Sequence, residues 1–186
     1  MTRRERLMAT LAGKAVDRPA VSFYELNGID EDPANTDPFN IFSHPSWLPL
    51  IELTREKSDI IAQKGVSCET TDGEAINEAT KTTTETRGGS RFTRREITVG
   101  GRVLTSRTRR DPGVNTTWTE EHLLKDADDI RAFLQIPQPM PTGVVHTKPF
   151  TDTEERLGDA GIVMIDTADP LCLAAGLFSM ADYTVF

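Results

Sequence analysis

Apolar residues in this chain fall at helical spacing in some stretches and in strand-like runs in others. In residues 2–13, Leu7 and Leu11 share one face, with Met8 beside them, which predicts a short amphipathic helix. Thr2 and Glu5 have the spacing of a capping box at its start, and Gly13 suits the left-handed position after its last turn. Pro19 biases Arg18 toward extended geometry. The run "AVSFYEL" that follows has strand length without strict alternation, the pattern of a strand buried on both faces of a parallel sheet. After the polar loop "NGIDEDPANTDPFN", "SHPSWLPLIELTREKS" predicts a helix starting near Ser46. Pro49 is tolerated there in the first turn, and Trp47, Leu50 and Ile51 supply the buried face. "DIIA" is then a second apolar strand, in βαβ-like order.

The pattern changes between about residues 66 and 121. Threonine-rich alternating runs are separated by Gly88-Gly89 and Gly100-Gly101, the signature of two-residue hairpin turns. Phe92, Ile97, Val99, Val103 and Leu104 carry the apolar content, and "NTTWTEEHLL" extends the region. This predicts an antiparallel insertion in an otherwise parallel α/β domain. In "KDADDIRAFLQIP", Asp126 is the expected N-cap and Asp128 and Asp129 favour the positive helix end. Ile130, Phe133 and Leu134 are expected to face the core, and Pro137 ends the helix. A proline-rich linker leads to a helix in "TDTEERLGDAG", a third buried strand "GIVMID", and a tail with an apolar helix, "TADPLCLAAGLFSMADYTVF".

Composition narrows the class. With 186 residues and 37% hydrophobic content, one domain with one core is expected. No run reaches membrane-spanning length and the first helix is charged, so a cytoplasmic protein without membrane attachment is expected. Cys68 and Cys172 lack metal-type spacing and read as reduced thiols. The net charge of −8 disfavours nucleic acid as a partner. That charge is uneven: residues 87–110 hold eight arginines and one acid, Glu96. Such a run is read either as a solvated hairpin face protected by charge or as a site for a multiply anionic ligand. In the second reading Arg94 and Arg95 are the candidate substrate-binding residues.

Three stretches carry a resemblance. "RRERLMATLAGKAVDRPAV", "TWTEEHLLKDADDIRAFLQIP" and "GIVMIDTADPLCLAAGLFSMADY" occur in the order seen in the uroporphyrinogen decarboxylase superfamily, closest to its methyltransferase-like branch. The resemblance covers most of this chain and about the first half of a family member. It implies part of a (β/α)8 TIM barrel, with "AVSFYEL", "DIIA" and "GIVMID" as its parallel strands. It implies an activity of corrinoid-dependent methyl transfer or, alternatively, decarboxylation of a tetrapyrrole. Zinc and a corrinoid-protein partner are implied for the whole parent. A chain with three of eight barrel strands is expected to need a missing C-terminal half or complementary subunit, to self-associate, and to be inactive alone. Decarboxylases of the family carry arginines after the first strand to hold substrate carboxylates, whereas "ELNGIDED" here is acidic.

Candidate site residues are few. Glu69 is the nearest carboxylate after the second strand, where the decarboxylases place an aspartate, and Asp59 opens that strand. Asp166 and Asp169 follow the third strand, where barrel enzymes place functional loops; a helix cap and turn is the alternative. Cys172 is expected to be inert core, His44 and His146 lack partner motifs, and His122 beside Glu120 and Glu121 reads as a solvated loop in preference to a metal site, so no metal is expected in this chain. A third functional class, a non-enzymatic anion-binding module, rests on the arginine-rich hairpin.

Overall fold

The computed structural model describes every residue except 24, 72–74 and 186. Its regular elements are α1 (Arg3–Leu11), α2 (Leu48–Lys57), β1 (Ile60–Lys64), β2 (Ser67–Thr71) and α3 (Ala75–Glu78). Next come β3 (Thr80–Arg87), β4 (Ser90–Val99), β5 (Arg102–Arg110), β6 (Thr117–Glu121) and α4 (Ala127–Phe133). The chain continues with β7 (Met140–His146), α5 (Lys148–Leu157), β8 (Gly161–Ile165), α6 (Pro170–Gly176) and α7 (Met180–Tyr183). Residues 1–67 and 145–167 form one compact unit, and residues 68–144 and 168–186 form a second.

The first unit is built on a parallel pair. β1 and β8 run in register from Ile60 opposite Gly161 to Lys64 opposite Ile165. Ile60, Ala62 and Leu157 form its buried cluster, with Ile29, Ala160 and Val163 packed against it. Glycine is required at 161: a Cβ there would lie 2.0 Å from the Ile60 carbonyl oxygen. Helix α1 starts as expected, with the Glu5 N–H donating to Thr2 Oγ1 at 3.1 Å and the Thr2 N–H donating to Glu5 Oε2 at 2.8 Å. Its buried residues are Arg6 and Leu7, while Met8 and Leu11 lie exposed. Helix α2 follows a 3₁₀ turn over Pro45–Trp47 and buries Ile51 and Thr54 rather than Leu50.

The fold class expected from the sequence is corrected here. The described residues form no part of a (β/α)8 barrel. β1 and β8 pair in parallel, the four strands β3, β4, β5 and β6 pair antiparallel, and no closed barrel forms among the described residues. The described residues of "AVSFYEL" do not form the expected first strand, and position 24 within it lies outside the described residues. The cause lies in the hydrogen bonds available there. Pro19 has no N–H to give, and the Val21 N–H, which a ladder would use, donates to Asp59 Oδ2 at 2.9 Å. Val21 makes one reciprocal tie, accepting from the Asp59 N–H at 2.7 Å.

The second unit holds the antiparallel sheet β3-β4-β5-β6. Gly88-Gly89 and Gly100-Gly101 form its first two turns with all four φ angles positive, between 58° and 86°. That is the arrangement whose twist matches two antiparallel strands. Alternation sorts the side chains of β4 and β5. Ile97 and Leu104, cross-strand partners, join Leu123, Leu124 and Ile136 in a core that also receives Ile130, Phe133 and Phe178. Arg94 and Arg107, also cross-strand partners, project from the opposite face. Asp126 caps α4 by accepting from the Asp129 N–H at 2.7 Å. Leu134, expected in the core, is 70% exposed. The proline-rich segment expected to be a linker contains β7, which pairs with β2. Helix α6 buries none of its residues, so Cys172 is exposed rather than core.

Candidate functional site

In the first unit, the C-terminal ends of the parallel strands bring together residues far apart in sequence. The Asp166 N–H donates to the Lys64 carbonyl at 3.0 Å, extending the β1–β8 ladder one residue beyond β8. Asp166 thus stands at the C-terminal edge of the pair, the side on which open parallel sheets carry ligands. The Lys64 ammonium is 2.7 Å from Asp30 Oδ1, and Arg156 Nη2 is 3.5 Å from the same oxygen. Burial pushes the Asp30 carboxyl up, but bonds from Lys64 and Asn27 outweigh it and hold the group below its ordinary range. Both cations therefore share the single carboxylate of Asp30, an acid of the loop before α2.

A hollow of about 290 Å³ lies against the same pair, lined by Ser22, Phe23, Ile61, Gln63 and Met164. Gln63 and Met164 are register partners. The lining is mostly apolar, with the Gln63 amide and the Ser22 hydroxyl as its polar groups.

The N-terminal end of β1 is occupied by an ion network. Asp59, fully buried, receives Arg6 Nη1 at 2.5 Å, Arg18 Nη1 at 2.7 Å and the Val21 N–H at 2.9 Å. Arg6 also donates from Nε to Asp17 at 2.7 Å. The bond from Arg6 holds the Asp17 carboxyl well below the ordinary carboxylate range, against some burial. At Asp59 burial acts upward but is outweighed by Val21, Arg18 and Arg6, so this carboxyl too is lowered. Four hydrogen bonds from three residues, two of them from Arg18, saturate Asp59, which makes it a fixed structural anion rather than a proton carrier.

The remaining candidates fall as follows. Glu69 lies exposed in β2 of the second unit, and its carbonyl accepts from Thr142 Oγ1 at 3.0 Å. Asp169, also in the second unit, accepts from the Leu171 and Cys172 N–H groups at 2.8 and 3.3 Å, capping α6. Arg94 and Arg95 are neighbours on β4, so their side chains leave on opposite faces and a single ligand meets one of them. Of the histidines, His44 caps the 3₁₀ turn through Nδ1, which accepts from the Ser46 N–H at 3.3 Å. Among the described residues, no group of three or more His, Cys, Asp or Glu side chains is placed to hold a metal ion. No helix among them is long and apolar enough to cross a membrane.

Ser22, Gln63 and Asp30 were not singled out by sequence reasoning. The alternation of polar Gln63 in "DIIAQK" marks it as facing away from Ile60 and Ala62, and that signal was readable. The pairing of Asp30 with Lys64 has no local signature, because it joins residues 34 apart. No family model, no curated protein and no solved structure matches the chain.

Proposed function

We propose that the chain serves methyl transfer of the kind found in the methyltransferase-like branch of the uroporphyrinogen decarboxylase superfamily, a methylated corrinoid carried by a partner being the donor. The three resembling stretches support this reading; one of them contains β8, and another supplies Arg6, Arg18 and Val21, which bond Asp59 just before β1. The observation that carries it over tetrapyrrole decarboxylation is the Asp30–Lys64 pair, with Arg156 beside it. A polycarboxylate substrate needs several cations without internal partners at the strand ends, whereas Lys64 and Arg156 both already engage Asp30 and leave only one net positive charge. An apolar hollow with a few polar groups suits a methyl group and a small acceptor better than a ring of acetates.

The role assigned to the Asp166 carboxylate, just after β8 at this edge, is to take the proton of a thiol acceptor, whose sulfur would form its bond to the methyl group as the cobalt–carbon bond of the donor breaks and its electron pair stays on cobalt. The zinc that the resemblance implies does not fit the described residues, and no step here runs through it.

The test is incubation with methylcobalamin and a small thiol, following corrinoid absorbance. Protein-dependent demethylation is expected, lowered at least tenfold by Asp166→Asn and unaffected by Asp169→Asn, which alters only the cap of α6. Release of carbon dioxide from uroporphyrinogen, or no demethylation above the protein-free rate, overturns the reading.

A further inference from the structure

We propose a second, separate ligand site on the outward face of the four-stranded sheet, built to hold an organic polycarboxylate. It is a hollow of about 350 Å³ lined by Lys81, Thr83, Glu85, Phe92, Arg94, Glu96 and Arg107. It lies in the second unit and does not depend on methyl transfer.

The strand register sets the geometry. Thr83, Arg94 and Arg107 stand directly opposite one another on β3, β4 and β5, and Lys81 lies two residues along β3 on the same face, opposite Glu96. Like charges directly opposed across a ladder repel, so the Arg94–Arg107 pair costs stability unless anions relieve it. The chain's own acids relieve it only in part. Arg94 Nε meets Glu96 at 3.0 Å and Arg107 Nε meets Glu120 at 2.8 Å. Those bonds use the inner nitrogen of each fork, and the Nη groups of both arginines have no hydrogen-bond acceptor among the described residues. Lys81 makes no ion pair among them either. Of the other acids nearby, Glu120 also takes Arg109 and Glu121 takes Thr105 and Lys125, while Glu85 lines the hollow itself, so that three cations there face the two acids Glu85 and Glu96.

The spacing selects the ligand class. Adjacent strands lie about 4.8 Å apart, so cations on three successive strands spread over roughly 10 Å. One phosphate is too small to span them, whereas carboxylates on a short carbon frame are separated by comparable distances. Arginine forks match carboxylates in two-point contact, and Phe92 gives the hollow an apolar wall.

Citrate is the probe, titrated calorimetrically at 20 mM and 300 mM sodium chloride, with inorganic phosphate as comparator. Citrate is expected to bind at low salt and to weaken at least fivefold at high salt, since screening shortens to below 10 Å. Arg94→Gln and Arg107→Gln should each weaken it at least tenfold. Arg95→Gln, on the other face of β4, should change it less than twofold. Thermal melts of each variant establish that it is folded, and Lys81→Gln replaces any arginine variant that is not. Absence of citrate binding, phosphate binding as tight as citrate, or equal weakening by Arg95→Gln overturns the proposal.

Discussion

Arg6 Nη1 sits 2.5 Å from Asp59 Oδ1, and the two side chains are 7% and 0% exposed. This contact ties α1 to the first residue before β1, across 53 positions of sequence. Arg18 closes the network from the turn between them. Three segments without shared regular structure are thus held by one carboxylate. Breaking a buried pair by removing one partner leaves the other charged and without its counter-ion, which is costlier than never having built the pair.

Asp59→Ala should therefore destabilise the protein by roughly 3–5 kcal/mol, measured by urea unfolding at pH 7. Asp59→Asn keeps an acceptor for Val21 but not the charge, and should fall between wild type and Ala. A loss under 1 kcal/mol for Asp59→Ala would show that the network is solvated in solution.

Acid should attack the same network. Asp17 and Asp59 have folded-state carboxyls lowered below their unfolded value of about 4. A lowered folded value means that protons bind the unfolded chain more readily, so stability rises with pH through this range. Their contribution is complete above about pH 4–5 and is lost as pH falls through the lower folded values. Melting temperature should be flat from pH 7 to 5 and drop below 4. In Asp59→Asn and Asp17→Asn the drop should be shallower, which a pH series of thermal melts would read directly.

The close approach at Gly161 gives an independent check on the parallel pair. A Cβ at 2.0 Å from a backbone oxygen has no flexible side chain to push aside. Gly161→Ala must shift β8 against β1, at a cost of about 2–3 kcal/mol. If chemical denaturation shows Gly161→Ala within 0.5 kcal/mol of wild type, roughly the scatter of neutral surface changes, the register of β1 against β8 is wrong.

Much of the local structure was legible because its causes are local. The Thr2/Glu5 box, the Gly-Gly turns and the Asp126 cap each act within a few residues, and each is found where the spacing puts it. The apolar strands "DIIA" and "GIVMID" were legible as strands and pair in parallel. What failed was their extrapolation to a barrel. "AVSFYEL" has the composition of a buried strand, yet the Asp59 carboxylate takes the Val21 N–H, a competition invisible in a hydropathy pattern. The segment around Met140–His146 has two sequence features of a linker, its flanking prolines and Gly143, and still pairs with β2. At the candidate site Asp166 could be named from its place after a strand. Its neighbours Asp30 and Lys64 could not, because side-chain pairing over 34 residues follows from the fold and not from spacing.

The arginine-rich segment allows a last distinction, between arginines that brace the fold and those that do not. Arg102, at the start of β5, reaches three acids of the helix start: Asp126 at 3.1 Å, Asp128 at 3.6 Å and Asp129 at 2.9 Å. Asp129 is nearly buried, and its other oxygen accepts from the Lys125 N–H at 3.0 Å. An arginine shared among several carboxylates, one of them shielded from water, is worth more than an exposed pair. Arg102→Glu also sets a like charge against the capping Asp126, so it should lower stability by about 1–2 kcal/mol. Lys148→Glu is the contrast: it removes only a highly exposed one-turn pair with Asp152 on α5. Its loss should be about 0.5 kcal/mol. Parallel urea titrations of the two variants would measure both, and raising salt to 0.5 M should narrow the gap between Lys148→Glu and wild type more completely than that of Arg102→Glu. Equal losses for the two would mean that Arg102 braces nothing and that α4 is held to β5 by the apolar contacts around Ile130 and Phe133 alone.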